Sequence, residues 1–316
     1  MSTSILVVGA GSIGQRHASN LAALGADVAI TDTDSARLVG VPWRTAAGIA
    51  DGFDAIVIAS PTTCHAEQAL AALGTGAAVF VEKPLALTVD EGERLVEVGG
   101  ERITVGYNLR FHEPLRRLAQ LMAAGRAGRP LSYRFWFGQW LPDWRPTVDY
   151  RRTYSARADL GGGVLLDAIH ELDLAVWMAG PELAVVGATV ARLGPLEIDV
   201  EDTVRALLTT PDGVPVSIEL DYLARQYRRG IEVIGDAATI RYDWATGDLT
   251  VSDGDGTTTE HFDTPVADSY VAEMAEFLST AAAPANTSAP TNTAAGALAS
   301  LRLAESIRAA ALVGAA

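Results

Sequence analysis

The chain has 316 residues, with 24 Lys plus Arg against 39 Asp plus Glu, a formal net charge of −15 and an isoelectric point near 4.7. Its long-range field therefore repels phosphate, which excludes general binding to nucleic acid or an anionic membrane. The 49% hydrophobic content is ample for buried cores, and the length suits two domains of roughly 150 residues each. Cys64 stands alone, so no disulfide framework or cysteine metal cluster is expected. No apolar stretch reaches the ~20 residues that span a bilayer, and because Met1-Ser2-Thr3 enters directly into Ile5-Leu6-Val7-Val8, no cleavable leader is expected. The expectation is a cytoplasmic, metal-free protein.

From the N-terminus, short apolar runs at 4–8, 27–31, 54–59, 77–81 and 102–105 alternate with amphipathic runs such as 12–24 and 65–73. Near-continuous apolar strands alternating with helices predict a parallel sheet covered on both faces. The turn Gly9-Ala10-Gly11-Ser12-Ile13-Gly14 follows the first strand and opens a helix, the context in which glycines let backbone approach a pyrophosphate. Asp32 ends the second strand, where a carboxylate accepts hydrogen bonds from a ribose diol. With Asp34 close behind, that carboxylate favours NAD over NADP, although Arg37 is near in sequence. The next signal is Lys83, the only lysine in the chain, in Glu82-Lys83-Pro84 at a strand end. Every other basic residue is arginine, so the ammonium is reserved for a place where a guanidinium, which cannot be deprotonated, would not serve.

After residue 106 the pattern changes. Gly106-Tyr107-Asn108-Leu109-Arg110-Phe111-His112 leads into a helical run over 113–124, and strand-like alternation then dominates from 132 to 251. Runs at 185–192, 203–210, 214–222, 230–234, 239–242 and 248–251, separated by turn residues, predict a largely antiparallel sheet. One helix, 164–178, interrupts it after Gly161-Gly162-Gly163. Helices over 268–281 and 293–312 close the chain, joined by a loose stretch at 284–292 that holds the glycosylation-type triplet Asn286-Thr287-Ser288.

Together the Gly9–Gly14 turn, Ser60-Pro61-Thr62 with His65, Glu82-Lys83-Pro84, the 106–112 segment, and Gly161-Gly162-Gly163 followed by Asp167, His170 and Asp173 resemble the Gfo/Idh/MocA oxidoreductases, the group containing glucose-fructose oxidoreductase and inositol dehydrogenases. The resemblance spans nearly the whole chain. It implies a Rossmann domain over 1–120 and an α/β domain with an open, largely antiparallel sheet over 121–316, with the final helix 293–312 packing back on the Rossmann domain. It implies a homodimer or homotetramer, and NAD-linked interconversion of a secondary alcohol and a ketone on a sugar, sugar acid, nucleotide-linked sugar or cyclitol. The cofactor set that it implies is Gly9, Gly11, Ser12, Ile13, Gly14, Asp32, Ser60, Pro61, Thr62, His65, Glu82, Lys83 and Asn108. Lys83 and His170 are placed by it where nicotinamide meets substrate, and Pro84 becomes a candidate cis-proline. Two other activities exist on the same plan: an NAD-binding sensor without turnover, and an NAD-dependent glycoside hydrolase.

The chemistry of the residues agrees. Oxidising a carbinol requires a group that titrates near neutrality beside the hydroxyl, which suits His170, with Lys83 a cationic donor for alkoxide character. Asp167, His170 and Asp173 are spaced by three and are expected along one helical face, so that either aspartate orients the imidazole. The family pattern places the aspartate four residues before the histidine, whereas here it is three. Residues 126–157 hold seven arginines against Asp143 and Asp149, with Trp136, Trp140, Trp144, Tyr150 and Tyr154 among them. Aromatics suit sugar faces and guanidinium forks suit anions. Arg110, Trp140, Trp144, Arg151, Arg152 and Tyr154 are accordingly the candidate contacts, with His170, to a carbohydrate that carries an anionic group; the competing reading is an aromatic edge strand.

Overall fold

The computed structural model describes residues 2–50, 52–282 and 290–311; the triplet at 286–288 and most of the 284–292 stretch lie outside them. In chain order the elements are β1 (Ser4–Val8), α1 (Ser12–Ala23), β2 (Asp27–Thr31), β3 (Arg44–Thr45), β4 (Ala55–Ile58), α2 (His65–Gly74), β5 (Ala78–Glu82), α3 (Val89–Gly99) and β6 (Ile103–Gly106). There follow α4 (Glu113–Ala123), β7 (Pro130–Gly138), α5 (Val164–Asp167), α6 (Ile169–Ala179), β8 (Ala184–Ala191), β9 (Thr203–Thr209), β10 (Pro215–Asp221) and β11 (Arg228–Gly235). The last are β12 (Thr239–Asp243), β13 (Asp248–Asp253), β14 (Gly256–His261), α7 (Val266–Ala282) and α8 (Ala294–Ala309). No helix among the described residues is long and apolar enough to cross a membrane.

The chain divides into two compact units, residues 1–111 with 266–301, and 112–265 with 302–316. The division precedes α4, because that helix packs against β12 of the second unit. In the first unit six parallel strands run in the order β3-β2-β1-β4-β5-β6. Ile5, Val7, Ile30, Val57 and Phe80 form one face of the sheet and pack against Ala18 and Leu21 of α1 and Met274 and Phe277 of α7. The alternate residues Leu6, Ile56, Val79 and Val81 are also fully buried, and α2 lies against β4 and β5. The two-residue β3 carries no hydrophobic pattern, and α3 opens on the capping box Thr88-x-x-Glu91.

The second unit is an eight-stranded sheet in the order β14-β13-β12-β11-β7-β10-β9-β8, antiparallel except for the β7–β10 pair. The aromatic strand β7 is central, between β11 and β10, not at an edge; Phe135 and Phe137 supply buried core from it. The expected single helix over 164–178 is interrupted. Ala168 leaves the helical region, with φ −94° and ψ 32°, so α5 ends at Asp167 and α6 starts at Ile169. Asp167 and His170 are therefore not neighbours on one continuous helical face, whereas His170 and Asp173 remain one turn apart on α6.

Phe277 connects a segment late in the chain to the first sheet, with its ring 5.4 Å from that of Phe80. Phe277→Ala should cost about 3–5 kcal/mol, the usual penalty for emptying a phenylalanine site in a core. Urea denaturation followed by circular dichroism measures it; an unchanged midpoint would mean that α7 contributes nothing to this core.

Candidate functional site

In the first unit the sequence motifs gather at the carboxyl ends of β1, β2, β4 and β5. Gly9 adopts φ +103°, and a Cβ there would lie 2.6 Å from the Ala59 carbonyl oxygen. A Cβ on Gly14 would lie 1.9 Å from the Gly9 carbonyl oxygen, so α1 rests directly on the turn. Gly11 caps α1 without a side-chain hydrogen bond, leaving Ser12, Ile13 and Gly14 to present backbone N–H groups at a helix N-terminus suited to a pyrophosphate. Asp32 is fixed at both oxygens: Ala10 N–H donates to Oδ2 at 2.7 Å and Asp34 N–H to Oδ1 at 2.8 Å. The Arg37 guanidinium is 3.8 Å from that carboxylate but is 55% exposed, so the acid, not the base, occupies the end of β2. This cradle fits a dinucleotide whose ribose presents a free diol.

At the end of β4, Ser60 donates its hydroxyl to Gln68 Oε1 at 2.6 Å, Pro61 is exposed and Thr62 half-buried. His65, buried at the start of α2, has Nδ1 2.8 Å from the Pro84 carbonyl oxygen and Nε2 3.0 Å from that of Ser60. Burial lowers its pKa, against the pull of those two carbonyls. The Lys83–Pro84 peptide is cis. Glu82 is buried, with Oε1 2.6 Å from His17 Nε2 and Oε2 accepting the Lys83 N–H at 3.0 Å. Burial opposes its charge, yet His17 and Lys83 together hold the carboxyl below its usual range. Asn108 is 1% exposed and donates to Ser269 Oγ on α7 at 2.7 Å, while Arg110 reaches the Thr291 carbonyl.

In the second unit Asp167 is 7% exposed and accepts hydrogen bonds from Tyr154, from Ser155 at 2.7 Å and from Tyr222 at 3.0 Å. Burial and then the Asp167 carboxylate push both phenols well above their ordinary range, so they stay protonated donors. His170 is half-buried on α6 and Asp173 is 1% exposed. The intervening Glu171 is buried against Arg229 of β11 at 2.6 Å. Leu141, Trp144, Arg145, Tyr150, Thr153 and Ser155 line a small cleft with about 10 Å³ of free space, room for about one water molecule. Ser155 thus joins the cleft to Asp167.

Of the expected substrate contacts, Trp144 and the neighbourhood of Tyr154 are at this cleft. Trp140 instead stacks under Arg225, 3.5 Å from ring centroid to guanidinium, and Arg110 belongs to the first unit. Arg151 is engaged by Asp149 and Glu197; Arg152 is exposed. Arg126, Arg129, Arg134 and Arg157 pair with Asp253, Asp236, Glu219 and Asp159. The sequence signal for an anion site is thereby mostly spent on carboxylates of the same unit. Arg145, in the Leu141–Pro146 loop, lines the cleft with its guanidinium 6.0 Å from the Tyr154 ring centroid, although it was not among the expected contacts. Tyr222, 55 residues from Asp167, had no sequence signal at all.

A parallel sheet in this strand order, a glycine cradle on its first helix and an acid closing its second strand define a dinucleotide-binding oxidoreductase with a separate α/β unit. Comparison with known proteins makes that specific. Residues 3–105 match the oxidoreductase-family NAD-binding Rossmann fold, and residues 115–241 the C-terminal domain of the same family. Inositol 2-dehydrogenase of Acidothermus cellulolyticus is 31% identical over 302 residues, covering 88% of this chain and 84% of that protein. Inositol 2-dehydrogenase 3 of Saccharopolyspora erythraea is 31% identical over 262 residues, covering 76% and 73%. The chain belongs to the Gfo/Idh/MocA oxidoreductase family. A crystal structure of an oxidoreductase from Agrobacterium radiobacter in complex with NAD+, L-tartaric acid and magnesium shares the fold, with a TM-score of 0.84 at 20% identity over 100% of this chain and 98% of that one.

The Asp167 cluster yields a direct stability test. Tyr222→Phe removes one donor to a buried carboxylate and should cost about 1.5–3 kcal/mol, the range for hydrogen bonds to charged groups. A thermal melt indistinguishable from that of the unaltered protein would show that Asp167 draws nothing from Tyr222.

Proposed function

We propose that the protein is an NAD-dependent dehydrogenase that interconverts a secondary alcohol and a ketone on a polyhydroxylated ring, a cyclitol or a sugar. The observation that carries this reading is the assembly of the Gly9–Gly14 turn, Asp32, Ser60-Pro61-Thr62 and Glu82-Lys83-Pro84 on one edge of one parallel sheet, outside the carboxyl ends of its strands, where such sheets bind ligands. Backbone N–H groups at the start of α1 hold the pyrophosphate and Asp32 the adenine ribose diol. NAD supplies the hydride acceptor when bound. Proton removal is left to the chain: His170 accepts the hydroxyl proton, and Lys83 offers a positive charge to the oxygen as alkoxide character grows.

The nature of the ring is supported by the relatives named inositol 2-dehydrogenases. Because most arginines of 126–157 are paired with carboxylates, a neutral polyol is the preferred substrate. An anionic sugar is the second reading, carried by Arg145 and Arg152.

Two experiments test these assignments. NAD(H) should bind more tightly than NADP(H), because Asp32 repels a 2′-phosphate; fluorescence titration giving equal or tighter NADP(H) binding would displace Asp32 from the ribose. In a panel of cyclitols, sugars and sugar acids, a neutral polyol should generate NADH absorbance, and His170→Ala should lower kcat by roughly 10² to 10⁴ with NAD affinity retained. Ligand binding without NADH would favour the sensor, free sugar released from a glycoside without net NADH the hydrolase, and near-normal turnover in the variant would remove His170 from the chemistry.

A further inference from the structure

We propose that His17 and His65 are positioning residues for Lys83, fastening the residues on either side of it: His17 through the Glu82 carboxylate, His65 through the Pro84 carbonyl. The proposal rests on the reading of Lys83 as the functional ammonium. All of these groups belong to the first unit. His17 lies on α1, fully buried, its ring centroid 5.3 Å from that of Phe80 and 6.1 Å from that of Tyr270. Walled in by those rings, it makes its polar contact from Nε2 to Glu82 Oε1 at 2.6 Å; among the described residues Nδ1 meets no hydrogen-bond partner. A buried carboxylate requires donors, and Glu82 has two of different kinds: the imidazole on Oε1 and the Lys83 backbone N–H on Oε2. The carboxylate has little freedom to turn. Its register partner on β6 is Gly106, where even a Cβ would come within 3.1 Å of the carboxylate atoms.

His65 makes the second attachment. Its Nδ1 faces the Pro84 carbonyl and its Nε2 that of Ser60 at the end of β4; a neutral imidazole donates from one nitrogen only, and it is the Nδ1–H tautomer that ties the residue after Lys83 to the start of α2. A functional side chain is held within fractions of an ångström only when its supporting residues are themselves fixed, and misplacement by about 1 Å can cost 10²-fold in rate. His17 has its hydrogen bond on Glu82, and His65 has one of its two carbonyl contacts on Pro84.

Because Lys83 is the only lysine, a protein grown on [13Cε]lysine gives one side-chain signal, and that signal reports Lys83 alone. His17→Ala should move or broaden it, lower kcat roughly 10-fold to 100-fold and leave the NAD dissociation constant within about 3-fold, as expected for a residue remote from cofactor affinity. His17→Gln, which keeps a nitrogen donor near Nε2, should restore most of both. His65→Ala should act in the same direction. If His17→Ala does not fold, the isosteric Glu82→Gln loosens the same attachment from its other end and should also lower kcat. A Lys83 signal and kcat unchanged in the folded variants would overturn the proposal. Lys83→Ala separates the two readings: if it turns over normally, the assignment of Lys83 fails; if it is inactive while His17→Ala and His65→Ala are normal, only the positioning role fails.

Discussion

The parallel pairing of β1 with β4, register Ile5↔Ala55 to Val8↔Ile58, is the constraint on which the first unit depends. On one side of β1 the chain proceeds outward through β2 and β3, on the other through β4, β5 and β6. Connections leaving β1 and β4 must therefore diverge, and the gap between them is the place where backbone can face a ligand without covering it. The contact of Gly14 with Gly9 brings α1 to that gap, and Gly9 itself passes so close to Ala59 that the two strand ends behave as one surface. Asp32 then takes its place through N–H groups supplied by that same turn and by its own at 2.7 and 2.8 Å, closer than the Arg37 guanidinium at 3.8 Å.

The legible part of the molecule was that in which function forces composition. Strand and helix alternation over 4–105, the glycine turn, the closing acid and the lone lysine each leave a local mark, because a tight backbone approach or a particular charge admits few residue types. Elements with only geometric duties were harder to read. β3 is two exposed residues long, β14 is a run of threonines exposed throughout, and neither shows the period of a half-buried strand. The break at Ala168 was hidden because alanine is an excellent helix former; tertiary hydrogen bonds to Asp167 override that preference. Contacts such as Tyr222 with Asp167 depend on strand order, which local patterning does not specify.

Charge placement differs between the buried and exposed parts of the second unit. On the surface, arginines meet carboxylates in pairs that contribute about 0–1 kcal/mol each, too little to hold the fold but enough to neutralise a basic stretch within an acidic protein. Inside, Arg229 with Glu171 is a different case: the pair is nearly inaccessible, and the guanidinium also lies over Phe137 and Trp244 at 5.3 and 5.2 Å. Desolvation makes such a pair weak evidence for stability. With Nε on one oxygen of Glu171 and the guanidinium over two rings, Arg229 ties α6 to β11 at the residue that follows His170.

α7 brings Met274 and Phe277 into a core whose other members come from residues 5–80. On a ribosome, synthesis runs at about 5–20 residues per second, so the nascent chain carries the Phe80 face of its first sheet for roughly ten to forty seconds before residue 277 is even polymerised. For that interval the face remains without the helix that later covers it, while the whole of the second sheet is being made. The first unit to appear is thus among the last to be completed, and the carboxyl-terminal part of the gene sets when the cofactor-binding half reaches its final packing.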